Sequence, residues 1–123
     1  MNYLTFTRDI QLNYLIGYFY YQLMNGGLWQ YLANPCGVDA PQLVVALEEI
    51  GAKETAKIIA ESLAFFPDGE PQANHELRWQ ALSSIPDEIR ERLDDHLTTL
   101  VNDASSPENL LSLLQSQCAH YKT

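Results

Sequence analysis

Basic residues are scarce in this sequence. Seven Lys and Arg stand against sixteen Asp and Glu, for a formal charge of −9. A chain so charged repels phosphate backbones and anionic membrane surfaces, so direct nucleic-acid binding and membrane binding are disfavoured. Basic protein surfaces are the natural partners, and electrostatic attraction would speed their encounter. Net negative charge that only keeps the protein soluble accounts for the same composition. Cysteine is scarcer still. Cys36 and Cys118 are too few and too unpatterned for a disulfide scaffold or a zinc site, and both read as small buried residues. Long apolar runs are missing as well. The most apolar stretch, Ile10 to Met24, is interrupted by Asn13, Gly17 and Gln22 and is shorter than the ~20 apolar residues of a membrane span. No basic leader followed by an apolar stretch and a small-residue cleavage site is visible at the N-terminus. A cytoplasmic protein is expected.

The recognisable chemical motifs are absent too. There is no P-loop, dinucleotide fingerprint or nucleophile elbow. Gly26-Gly27 has no preceding strand and reads as a turn. Glu91 and Asp95 are spaced i,i+4 and His96 is adjacent. Residues 95 and 96 point ~100° apart on a helix, so they do not converge as the three or four ligands of a metal site must. His120 lies two residues from Cys118, on another helical face, which argues against a cysteine nucleophile with its base. No catalytic residue, metal or cofactor is assigned, and the chain is not expected to be an enzyme.

What is present is a series of helices. Of the residues, 46% are apolar and 11% aromatic, the balance of a globular domain. No segment alternates with period two. The fold expected is all-α, a compact single-domain bundle of about six or seven helices over residues 1–123. The first runs from about Arg8 to Asn25, apolar almost all round, which suits the centre of a bundle. Asn25-Gly26-Gly27 ends it, and a short helix from Leu28 to about Asn34 stops before Pro35. Asp39 opens the third, with Gln42 completing a capping-box pattern, and Gly51 closes it. The fourth spans about Lys53 to Phe66. A loop covers Asp68 to Ala73. The fifth spans Asn74 to Ser83, with Leu77, Trp79 and Leu82 as core candidates. The sixth begins near Pro86, capped by Ser84, and ends near Asn102. The seventh starts at Ser106-Pro107-Glu108, and Leu110, Leu111, Leu114, Cys118 and Tyr121 recur in it at helical spacing. Loops are short, so neighbouring helices should pack antiparallel.

Charge is unevenly spread. Through Ala60 five acids face three bases, a net of −2; from Glu61 onward eleven acids face four bases, a net of −7. The sixth helix concentrates it. Ile89, Leu93, Leu97 and Leu100 share one face, and Asp87, Glu91, Asp94 and Asp95 the other. Four carboxylates over ~12 Å of helix approach the charge spacing of one DNA strand, a phosphate every ~3.4 Å along the axis. An ordinary solvated face, partly offset by a Glu88–Arg92 pair at i,i+4, is the simpler reading. Glu61, Asp68, Glu70 and Glu76 carry further acid in the same half. A polar cluster, Asn25, Gln30, Tyr31 and Asn34, stands inside apolar sequence. It reads first as satisfying backbone groups where the chain turns, and alternatively as the lining of a ligand pocket.

The run Asn25-Gly26-Gly27-Leu28-Trp29-Gln30-Tyr31-Leu32-Ala33-Asn34 resembles the NNGGFxQYFxN signature of a bacterial family long classed as a domain of unknown function. The likeness continues through Ala46-Leu47-Glu48-Glu49-Ile50-Gly51-Ala52, Ala64-Phe65-Phe66-Pro67, Gly69-Glu70-Pro71, Glu76-Leu77-Arg78-Trp79 and Leu93-Asp94-Asp95. The resemblance implies an all-helical fold in which Asn25, Gly26, Gly27, Gln30, Tyr31 and Asn34 are structural. The family's best-known member is an acidic DNA mimic that occupies the DNA-binding surface of a transcription factor. By that analogy the chain is expected to be a protein-binding regulator, monomeric or homodimeric, with a basic partner such as a DNA-binding transcription factor. Two other readings stay open: an immunity or antidote protein that neutralises a basic toxin, and a small-molecule-binding or enzymatic domain built on the cluster near Asn25.

Overall fold

The computed structural model describes residues 6–119. Among them there is no strand, and six α-helices follow in order: α1 (Arg8–Ala33), α2 (Ala40–Glu49), α3 (Lys53–Leu63), α4 (His75–Ser83), α5 (Asp87–Asn102) and α6 (Leu110–Ala119). Short 3-10 turns lie at Pro35–Asp39 and Pro67–Gly69. No helix among the described residues is long and apolar enough to cross a membrane.

α1 packs against α2, α4, α5 and α6. Leu12, Leu15, Ile16, Phe19 and Leu23 are buried along its first part, and Leu28, Tyr31 and Leu32 along its second. Gly27 divides the two parts, with φ 88° and ψ 179°, a conformation essentially reserved for glycine. The helix expected to end at Asn25 therefore runs on to Gly27, breaks there, and resumes. The Phe19 and Tyr31 rings meet edge to face across the break, centroids 5.2 Å apart, a favourable aromatic geometry. α2 and α3 pair tightly around the turn at Gly51.

Several expected boundaries shift for identifiable reasons. Asp39 closes the 3-10 turn and makes no side-chain cap bond, so the capping box with Gln42 does not form. Ser84 donates to the Ala81 carbonyl; it finishes α4 and does not cap α5. α6 begins at Leu110, with Asn109 accepting from the Ser112 amide at 3.0 Å, and Ser106 to Glu108 belong to the turn before it. Glu88 and Arg92 form no ion pair; among the described residues the pair present is Arg8–Glu49 at 2.9 Å. Leu111 is exposed. The side chains of Cys36 and Cys118, and Tyr121 altogether, lie outside the described residues.

The largest departure is in α4. Leu77 and Trp79, expected in the core, are 47% and 53% exposed, whereas Arg78 between them is 1% exposed. Its guanidinium donates to the carbonyls of Gln72, Ala73 and Ala33 at 2.8–3.0 Å. Ala33 is the last residue of α1, where carbonyls lack helical partners. A cation there also opposes the negative end of the helix dipole. That demand turns α4 so that Arg78 faces inward and its two apolar neighbours face out.

Candidate acidic face and adjoining cleft

α5 is the element that carries the charge, and its two sides differ. Leu93, Leu97 and Val101 are buried, with Ile89 and Leu100 packed beside them. Asp87, Glu91 and Asp95 are exposed. Asp94, expected among them, points inward. Its Oδ1 accepts from the Leu28 amide at 2.9 Å, and a Cβ on Gly27 would come within 2.8 Å of the carboxylate. Asp94 thus caps the resumed part of α1, where freed amides and the positive helix end favour an anion. Glu88 takes its place outside: it is exposed, and on a 100° wheel residues 87, 88, 91 and 95 fall within ~100° of arc.

A second carboxylate acts in the same way and was not foreseen. Glu108 is 7% exposed. It accepts from the amides of Glu54 and Thr55, both at 2.8 Å, and from the Thr55 hydroxyl at 2.7 Å. α3 begins after Ala52, which has no side-chain acceptor, and Glu108 supplies one. The missing cap at Ala52 is the signal from which such a partner could have been expected.

Trp29 ties α5 to α1. Its indole N–H donates to the Arg90 carbonyl at 3.0 Å, and the Arg90 guanidinium lies 5.7 Å from the ring centroid, within cation–π range. Trp29 and Arg90 together separate two depressions. One, of about 380 Å³, is walled by Asp87, Glu91 and Asp94. The other, of about 770 Å³, lies between α1 and α4 and is lined by Gly26, Gln30 and Asn34 on one side and by His75, Glu76 and Trp79 on the other. Neither Trp29 nor Arg90 is among the site residues expected from the sequence, and Trp79, expected in the core, lines the larger cleft.

The polar cluster is resolved by a residue outside it. Gln22, 9% exposed, accepts from the Gln30 amide at 2.9 Å and the Asn34 amide at 2.8 Å. These amides satisfy one another and not the backbone, contrary to expectation. The Gln30 carbonyl oxygen occupies the space a Cβ on Gly26 would need, so a glycine there lets Gln30 lie across the helix. Tyr31 is in the core and Asn25 is exposed. Of the remaining acids, Glu76 joins the larger cleft. Glu61, Asp68 and Glu70 are exposed and line neither depression.

Two carboxyl groups depart from the ordinary range. Hydrogen bonds from the Ser105 amide and hydroxyl hold Asp103 low, and burial pushes Asp39 up. Neither belongs to the face or the cleft. Among the described residues no three His, Cys, Asp or Glu side chains are grouped to hold a metal.

Neither a curated protein nor a solved structure matches the chain. A family model does, over residues 5–117, and its description is "DMP19-like protein". That match spans nearly the whole chain, and the protein therefore belongs to the DMP19-like family.

Proposed function

We propose that this protein is a binding regulator whose outer α5 face occludes a basic, DNA-binding surface of another protein, acting there as a DNA mimic. The observation that carries the reading is the arc of exposed carboxylates at Asp87, Glu88, Glu91 and Asp95. None of the four forms an ion pair among the described residues. Spread over ~12 Å of a rigid helix, they present negative charge at a spacing close to that of phosphates along one strand. The walls at Asp87 and Glu91 and the indole of Trp29 give the face relief.

The test is the association rate with a partner co-purified from native cells, comparing wild type with a variant carrying Asp87→Asn, Glu88→Gln, Glu91→Gln and Asp95→Asn. Each exposed pair across the interface contributes about 0.2–1 kcal/mol, so binding should weaken by about 1–4 kcal/mol, roughly five- to a thousandfold. The loss should appear mainly as slower association and shrink at high salt. Equal rates at low salt would remove α5 from the interface. A helix-turn-helix partner supports the DNA-mimic reading; a toxic nuclease would make the protein an antidote using the same face.

The cleft favours a second reading, as a pocket for a small molecule with an aromatic or apolar body and polar edges, held between the indoles and the Gln30 and Asn34 amides. A metabolite screen by thermal shift tests it. A ligand that raises the midpoint of the wild type but not of Trp79→Ala supports it.

A further inference from the structure

The cleft between α1 and α4 and the acidic depression on α5 share Trp29 and Arg90 as a common wall. A partner seated on α5 therefore has the mouth of the cleft at its edge, and the lining decides what it can insert there. Trp29 is already occupied. It is 9% exposed, its N–H donates to the Arg90 carbonyl, and the Arg90 guanidinium lies over its ring. Trp79 is the open indole, 53% exposed. The polar lining accepts more than it donates. Gln30 and Asn34 each give an amide hydrogen to the Gln22 oxygen, and among the described residues no hydrogen bond reaches either of their own side-chain oxygens. The Ser83 hydroxyl is turned to the Trp79 carbonyl at 2.8 Å. Glu76, exposed in the first turn of α4, adds a carboxylate with no ion pair among the described residues.

An open indole, two amide oxygens and a carboxylate around one cleft match a flat cation rich in N–H donors. A guanidinium stacks on an aromatic face and donates in a fork, and its charge is attracted by the ring quadrupole. A neutral aromatic would cover Trp79 but leave the oxygens beneath it without donors. A lysine ammonium is more strongly hydrated and has no plane to stack. Carboxylates and phosphates are repelled by Glu76. The charge of Arg90 on the shared wall is offset by Asp87, Glu91 and Asp94 around the smaller depression. We propose that the cleft is an arginine pocket, which takes one arginine side chain of the basic partner. Trp79 is its platform, and Glu76 with the Gln30 and Asn34 oxygens its acceptors. The inference rests on the reading of α5 as the face for a basic protein, and under it the cleft holds no free metabolite. The α5 carboxylates then govern how fast the partner arrives, and the pocket how long it stays and which basic proteins are retained.

Titration of acetyl-arginine amide, a stand-in for an arginine within a chain, into the isotope-labelled full chain tests this by heteronuclear NMR. The Trp79 indole N–H and the Gln30 and Asn34 side-chain amides should shift together and saturate, and acetyl-lysine amide should bind more weakly. Trp79→Ala, followed on the two amides, should weaken the arginine probe by about two- to thirtyfold. Glu76→Gln should weaken it by about two- to fivefold. Both sites are exposed, so the rest of the spectrum should keep its dispersion. With the co-purified partner, Trp79→Ala should speed dissociation and leave association unchanged. Shifts that are absent, or no larger for arginine than for lysine, would overturn the proposal. Free arginine binding tenfold more tightly than the capped form would make the cleft a metabolite site and overturn it too. The two readings fail separately. If the four-site α5 variant associates as fast as wild type while the probe still binds and Trp79→Ala still speeds dissociation, α5 leaves the interface and the pocket stands. If that variant associates slowly but the probe does not bind, α5 stands and the pocket falls.

Discussion

Helices α1 and α5 divide the chemistry of this chain between them. α1 carries no charge from Ile10 to Ala33, and α5 carries five acids and two arginines over Asp87–Asn102. They meet where one acid of α5 leaves the solvent face and caps α1. The difference teaches that acid in this protein serves two purposes. Asp94 and Glu108 each sit where a helix starts without a cap of its own, and there the carboxylate is part of the fold. Asp87, Glu88, Glu91 and Asp95 touch no helix start but their own, and their charge is available to a partner. Net charge alone does not distinguish the two groups; the hydrogen-bond partners do.

The junction between the two helices should break most severely at Gly27. Gly27→Val forces a β-branched residue to φ 88° and drives its Cβ against the Asp94 carboxylate. Strain and displacement of the cap together should cost about 2–4 kcal/mol, read as a lowered denaturant midpoint at unchanged slope. A midpoint equal to wild type would mean that the break at Gly27 is not needed for the packing of α1.

Glu108→Ala should come next. It leaves the Glu54 and Thr55 amides without their acceptor in a buried site, at about 1–3 kcal/mol. Asp94→Ala removes a single cap bond and should cost about 1 kcal/mol. Asp94→Asn keeps an oxygen in place and should recover most of that. If Asp94→Asn is as damaging as Asp94→Ala, the negative charge and not the hydrogen bond holds α1 to α5, and the loss should then fade with salt.

The helices were largely legible because their signals are local. Asn-Gly-Gly marked the break in α1, Asn74 the start of α4, and the apolar period of α5 its buried face. What escaped depends on residues far apart in sequence. Leu28 and its cap are separated by 66 positions, and Thr55 and its cap by 53. No window of sequence contains both partners. The α4 error has the same origin. Leu77 and Trp79, like Leu82, by composition belong inside, but Leu77 and Trp79 lie ~200° apart on a helix and cannot both face a core; Leu82 does. The carbonyl end of α1 decided the matter in favour of Arg78. The Trp29–Trp79 cleft was illegible for that reason, since it exists because Trp79 faces outward.

The smallest expected effect is the sharpest test of the comparison. Glu91→Gln and Asp95→Asn lie beyond the first turn of α5, where the helix dipole no longer rewards negative charge. Neither carboxylate has a hydrogen-bond or ion-pair partner among the described residues. If outer acid is free charge, the double variant should melt within about 0.5 kcal/mol of wild type. Any shift should be upward, because two fewer like charges repel on a chain of −9, and salt should erase it. Paired with Asp94→Ala, one residue before Asp95 on the same helix, the measurement compares carboxylates in adjacent positions with opposite duties. A double variant that lost as much stability as Asp94→Ala would show that the outer acids too are part of the fold. Such a result would also forbid reading any loss of partner binding in the four-site variant as loss of charge alone.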